Sequence, residues 1–112
     1  MIVNILGTPW TVERLSVEAE PRLKDADGFS DWTTKKIIVR DEQDIYEGTL
    51  EDMDQYVKKV LRHEIVHAFF LESGLHECSG QAEAWAANEA MVDWFARQGL
   101  KIYKAWEATD AL

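Results

Sequence analysis

Residues His63-Glu64-Ile65-Val66-His67 set two imidazoles and a carboxylate in the pattern H-E-x-x-H. On an α-helix, residues four apart lie one turn up on the same face, so His63 and His67 can reach one metal ion together. Glu64 follows His63 by one position and projects about 100° further round the helix. It would stand beside such an ion, where a carboxylate can handle a proton of metal-bound water. The plainer alternative is a pair of satisfied core histidines with Glu64 in a salt bridge, because both histidines fall in line with Tyr56, Val60 and Phe70. Imidazole suits an apolar stripe poorly unless something pairs with it, and this favours the metal.

That chemistry requires a helix. From Thr49 to Glu72 there is neither Pro nor Gly, and apolar residues recur at Leu50, Met53, Val57, Val60, Leu61, Ile65, Ala68 and Phe69. This is helical spacing. Thr49, with Asp52 three residues on, gives a capping-box start, and Gly74 a stop. A turn over 75–80 then carries His76, Glu77 and Cys78. A second helix is predicted from Gln81 to Gln98, stopped by Gly99, and a short third helix from Leu100 to Glu107, with Ile102, Tyr103 and Trp106 facing inward. In the N-terminal half, 1–6 reads as a strand ended by the turn Gly7-Thr8-Pro9, and 10–17 as a weaker strand. Residues 18–31 read as a loop with room for one helical turn, 32–40 as the best strand of the chain, and 41–48 as a polar connection. Strands precede helices, so the expected class is α+β: a small antiparallel or mixed sheet packed on the histidine-bearing helix, with two further C-terminal helices.

The 112 residues suit a single domain with one core. A hydrophobic content of 46% with five Trp excludes disorder, and 21 acidic against 12 basic residues, a formal charge of −9, disfavours nucleic acid and anionic membrane as partners. No apolar run approaches the roughly 20 residues that span a bilayer. Cys78 is alone and forms no internal disulfide. The start MIVNILGTPW lacks the features of a signal peptide, so a cytoplasmic location is expected. An exposed edge over 32–40 could pair with a second copy, and the oligomeric state stays open.

A catalytic zinc takes three protein ligands and keeps a fourth position for water, so two histidines are not enough. Glu89 and Asp93 are four apart on the second predicted helix and share a face. Packed on the first helix, Glu89 could complete a His-His-Glu site, and Asp93 could accept a hydrogen bond from the outer ring nitrogen of a ligating histidine. Glu83, Glu72, His76, Glu77 and Cys78 compete for the third position, and a solvated helix face is the plainer account of Glu89 and Asp93. Two imidazoles and a carboxylate suit zinc, although Fe(II) and Mn²⁺ accept the same set.

HEIVH followed 22 residues later by Glu89, with Asn88 before it and Asp93 four after, resembles the gluzincin branch of the zincin metallopeptidases, the group that includes thermolysin. The resemblance covers about the C-terminal half of the chain. It implies Glu89 as third zinc ligand, Asp93 as support for a histidine, Asn88 as a contact to substrate backbone, and a Tyr or His that stabilises the oxyanion. Tyr103, His76 and Tyr46 are the candidates for that last role. The small size and strand-rich N-terminal part also look like compact zincin-like proteins of phages and prophages. In these a strand along the active-site helix binds extended peptide, and here that strand would be Lys35 to Arg40. The chain is similar, too, to small peptidases of mobile elements that cut repressors, whose Glu ligand precedes a segment like Phe95-Ala96. The metzincin pattern does not fit, because Ser73 stands where it needs a His and Phe70 where it needs a Gly.

The function this implies is zinc-dependent hydrolysis of a peptide or protein substrate. Zn²⁺ on His63, His67 and Glu89 would lower the pKa of its water to about 7. Glu64, as general base, would take that proton and deliver it to the leaving amine. A narrow substrate in a phage or mobile-element setting is expected over general digestion. Two other classes compete. A facial-triad oxygenase would leave Glu64 without a reason to be there. A non-catalytic zincin-like interaction module with a bound metal would be favoured by a fourth protein ligand from His76 or Cys78.

Overall fold

Asn4 and the pair Leu6-Gly7 set the first turn. In the computed structural model, which describes residues 1–41, 51–78 and 89–112, strand β1 (Ile2–Ile5) turns back into β2 (Thr8–Leu15). Leu6 and Gly7 both take positive φ, 51° and 92°, the conformation that matches a two-residue hairpin to the twist of its strands. The Asn4 side chain accepts from the Gly7 N–H at 2.7 Å. Pro9, expected in the turn, lies inside β2 opposite Asn4. That pair follows the closing pair Ile5–Thr8, so the Pro9 nitrogen faces away from β1, and the ladder on its other side begins only at Thr11. No sheet hydrogen bond is lost there.

Residues 18–31 are not all loop. Pro21–Lys24 forms the one helical turn allowed for, a 3-10 turn capped by Glu20, but Gly28–Asp31 is a strand, β3. Trp32 to Lys35, expected to begin the best strand, is instead the turn into β4 (Lys36–Arg40). Asp31 explains the turn: its carboxylate accepts from the Thr33 N–H at 3.0 Å, and Lys35 takes a positive φ of 55°. The sheet order is β1-β2-β4-β3, with β4 parallel to β2 and antiparallel to β3. The sheet is therefore mixed, and β4 is an inner strand.

Helix α1 (Met53–Glu72) starts after Asp52, whose side chain accepts from the Gln55 N–H at 3.1 Å. Asp52 is thus the cap itself; Thr49 and Leu50 lie outside the described residues. Gly74, at φ 81°, ends the helical run as expected. Val57, Val60, Leu61, Ile65, Ala68 and Phe69 are buried and pack with Val3, Ile5, Trp10, Val12, Ile37 and Val39 of the sheet in one core. Each large side chain in such a stripe contributes about 1.5–3 kcal/mol, so packing holds α1 in register. A single turn, α2 (Leu75–Cys78), follows where an irregular turn was expected.

Helix α3 (Glu89–Ala108) runs unbroken through Gly99, so the two predicted C-terminal helices are one over the described residues; 81–88 lie outside them. A helical Gly costs about 1 kcal/mol against Ala, less than the burial of Ile102 and Ala105 beyond it contributes. Helices α1 and α3 are antiparallel: the Trp94 ring meets Phe70 edge-on at 5.0 Å, and the Trp106 indole donates to the Arg62 carbonyl at 3.3 Å. Ile102 and Trp106 face inward as expected, but Tyr103 is 48% exposed, because adjacent helical positions point about 100° apart. Among the described residues no helix is long and apolar enough to cross a membrane.

Glu72 ties the end of α1 to the sheet. Its carboxylate accepts from the Trp10 indole at 2.9 Å and the Thr8 hydroxyl at 3.3 Å, and pairs with Lys35 at 2.7 Å. Burial alone would raise its pKa, but the Lys35 ammonium and the Trp10 and Thr8 donors together hold it below the ordinary carboxylate value. A depressed pKa adds stability above the ordinary value, lost as pH falls through the folded one. Glu72→Ala should therefore lower the urea-unfolding free energy by about 2 kcal/mol at neutral pH, leaving the buried Trp10 donor unpaired. The gap from wild type should narrow below about pH 3; an unchanged gap there would contradict the ionised role.

Candidate metal centre

The stripe that buries Ile65 and Ala68 fixes which way the neighbouring side chains look. His63 and His67 are exposed and Glu64 between them is buried, 5% exposed. The two Nε2 atoms are 3.0 Å apart, and the rings meet at 73°. One ligand atom from each of His63, Glu64 and His67 lies within 4.8 Å of the others, so the group could hold a metal ion. With Zn–N bonds of about 2.0–2.1 Å, two nitrogens up to about 4 Å apart can share an ion, and this pair satisfies that. Desolvation lowers the His67 pKa, and the charges of His63 and His76 add to this. The neutral imidazole thus favoured is the form that binds metal.

Burial pushes the Glu64 carboxyl up from its ordinary value, against smaller opposing pulls from His63 and the Ser30 hydroxyl. Ser30 Oγ donates to the Glu64 carbonyl oxygen at 2.8 Å and lies 3.4 Å from Oε1. This bond crosses from β3 to α1. It needs a close approach, which Gly28 permits: a Cβ there would stand 2.8 Å from Val60 Cγ1 and 3.2 Å from Glu64 Cγ.

A cleft of about 370 Å³ opens between β3 and α1, lined by Gly28, Ser30, Trp32, His63, Glu64 and His67 among others. A larger concavity, about 620 Å³, lies between β1 and α3, but it is lined by no His, Cys, Asp or Glu. The smaller cleft holds the His63, Glu64 and His67 group. The strand beside it is β3, whose outer edge has no strand partner among the described residues. The expected peptide-binding strand, Lys35 to Arg40, does not fit this position: β4 is hydrogen-bonded to β2 on one side and β3 on the other, so it has no backbone edge to offer.

His76 lines the cleft with His63, Glu64 and His67. Glu89 is the first residue of α3, but its side chain, like that of Cys78, lies outside the described residues. Asn88, Tyr46 and Glu83 lie outside them altogether. Asp93 is exposed, and its carboxylate accepts from the Arg97 guanidinium one turn along α3 at 2.8 Å. Neither Asp93 nor Tyr103 lines the cleft. Glu72, a rival for the third ligand, is engaged by Trp10, Thr8 and Lys35. The residues that sequence reasoning missed are Gly28, Ser30 and Trp32. Gly and Ser in a polar stretch read as loop, and nothing local marks them as facing a helix more than 30 residues on.

No known protein family, curated protein or solved structure matches this chain.

Proposed function

We propose that the chain is a zinc-dependent peptidase of zincin-like, gluzincin type. The observation that carries this reading is a buried carboxylate, Glu64, next in sequence to one of two imidazoles whose Nε2 atoms stand 3.0 Å apart on an open cleft. His63 and His67 would hold the ion, with Glu89 as third ligand. When bound, the ion supplies Lewis acidity, which acidifies water and polarises a carbonyl. Glu64 would take a proton from the attacking water on a carboxylate oxygen and return it to the leaving amine. Its burial favours the protonated form that the second transfer needs. The outer edge of β3 offers backbone groups to an extended substrate. A narrow protein substrate, in a phage or mobile-element setting, suits so short a cleft.

The test is metal content by elemental analysis, wild type beside Glu89→Ala. About one zinc per chain, lost or much weakened in the variant, is expected. No metal in a folded wild type, or full retention in Glu89→Ala, would overturn the His-His-Glu site. A second reading, a non-catalytic module whose metal serves the fold, draws on His76, which stands in the same cleft and could close the site as a fourth ligand. Loss of metal in His76→Ala would favour it.

A further inference from the structure

Gly28, His63 and Glu64 form a waist shared by two concavities of different chemistry. On one side is the cleft of about 370 Å³, with Trp32, Phe29 and Leu71 in its wall. On the other is a smaller one of about 210 Å³, walled by Asp27, Tyr56, Lys59 and Val60. From this division we infer that the site selects an extended peptide with an apolar residue on the Trp32 side of the waist and an acidic residue on the Lys59 side. The inference rests on the peptidase reading of the same cleft.

The apolar preference comes from Trp32. It is 61% exposed in the turn between β3 and β4 and lines the cleft, so its ring is available to a side chain lying there. Phe29 beside it already carries the Arg22 guanidinium 4.3 Å from its ring centre. Trp32 is thus the open aromatic surface on this side, with Leu71 also in the wall.

The acidic preference comes from unequal pairing at the other end. The Asp27 carboxylate accepts from the Tyr56 hydroxyl and has Arg40 Nη1 at 4.0 Å. Its charge is met from two directions. Lys59 is exposed, makes no ion pair among the described residues, and lies with its ammonium 5.8 Å from the Tyr56 ring centre. Lys59 is the cation of this wall left without a carboxylate among the described residues, on a chain of formal charge −9, so an acidic side chain is drawn to it while most of the surface repels it. β3, about 13 Å long with its four residues, runs past the waist, and side chains about four positions apart in an extended peptide alongside it span that length.

The experiment uses fluorophore-labelled decapeptides carrying Leu or Phe at one position and Glu, Gln or Lys four positions away in either direction. Binding to zinc-free Glu64→Gln is read by anisotropy, and cleavage by zinc-loaded wild type by mass spectrometry. Replacing Glu by Lys in the peptide should weaken binding about fivefold, less at high salt, and Lys59→Glu should reverse the order. Trp32→Ala should reduce binding of the Leu and Phe peptides about tenfold and leave the charge preference intact. Cleavage without either preference would overturn the inference and leave the peptidase reading standing. Selective binding without cleavage would support the inference and count against the peptidase. Neither binding nor cleavage of any peptide would overturn both.

Discussion

Glu64→Gln is expected to lose peptide hydrolysis by about a hundred- to ten-thousandfold while keeping its metal and its fold. The loss follows from the role. Gln has the shape of Glu but cannot take a proton from water at neutral pH, and a positioned base of this kind contributes that much. Retention of metal follows from the geometry: the imidazoles of His63 and His67 are exposed beside the cleft, whereas the Glu64 carboxylate is buried against β3. Retention of fold follows from burial. The wild-type carboxylate stands where desolvation disfavours its charge, so a neutral isostere removes a cost. The Ser30 bond at 2.8 Å runs to the backbone carbonyl and survives the change. Three readings separate the outcomes: turnover, zinc per chain and urea midpoint. A variant that cleaves at the wild-type rate would sink the general-base role, and one that loses its zinc would make Glu64 a ligand.

What was legible in the sequence was what depends on neighbours along the chain. The apolar stripe of α1 is buried where the periodicity put it, from Val57 to Phe69, and that stripe alone turns His63 and His67 outward together. What was not legible depends on pairing across the chain. Gly28-Phe29-Ser30-Asp31 has poor strand propensity and becomes a strand only because Ile37 and Val39 offer it a ladder after the turn. The edge of the sheet, β3 rather than 36–40, depends on the same pairing. The segment 36–40 has the best strand composition, and such composition marks an inner strand as readily as an edge. Gly99 shows the reverse case, a strong local stop signal overridden by the burial of Ile102 beyond it. The third ligand is not fixed by spacing either, because Glu72, His76 and Glu89 all follow the motif in sequence and spacing alone does not choose among them. Only the network of Trp10, Thr8 and Lys35 takes Glu72 out of contention.

Gly28→Ala should cost about 1–3 kcal/mol of stability and, separately, about a hundredfold in turnover. Gly28 is not at positive φ, so an alanine meets no backbone penalty and the effect is steric. Its Cβ would stand 2.8 Å from Val60 Cγ1, and 3.2 Å from both Glu64 Cγ and the Ile38 carbonyl oxygen. The carbonyl belongs to β4, held by strands on both sides, and Val60 is packed in the core, so β3 is the element that can yield. As β3 moves off α1, Ser30 leaves the Glu64 carbonyl and the carboxylate loses its wall. A displacement of about 1 Å at a reacting group is enough for the loss in rate. Zinc content should not change, because His63 and His67 sit on α1, outside the clash. Gly99→Ala is the control: a Cβ there meets nothing within 4 Å, so an interior helical Gly is replaced at a gain of up to about 1 kcal/mol. If Gly28→Ala matched wild type in both urea midpoint and turnover, the close seating of β3 on α1 would not be what orients Glu64.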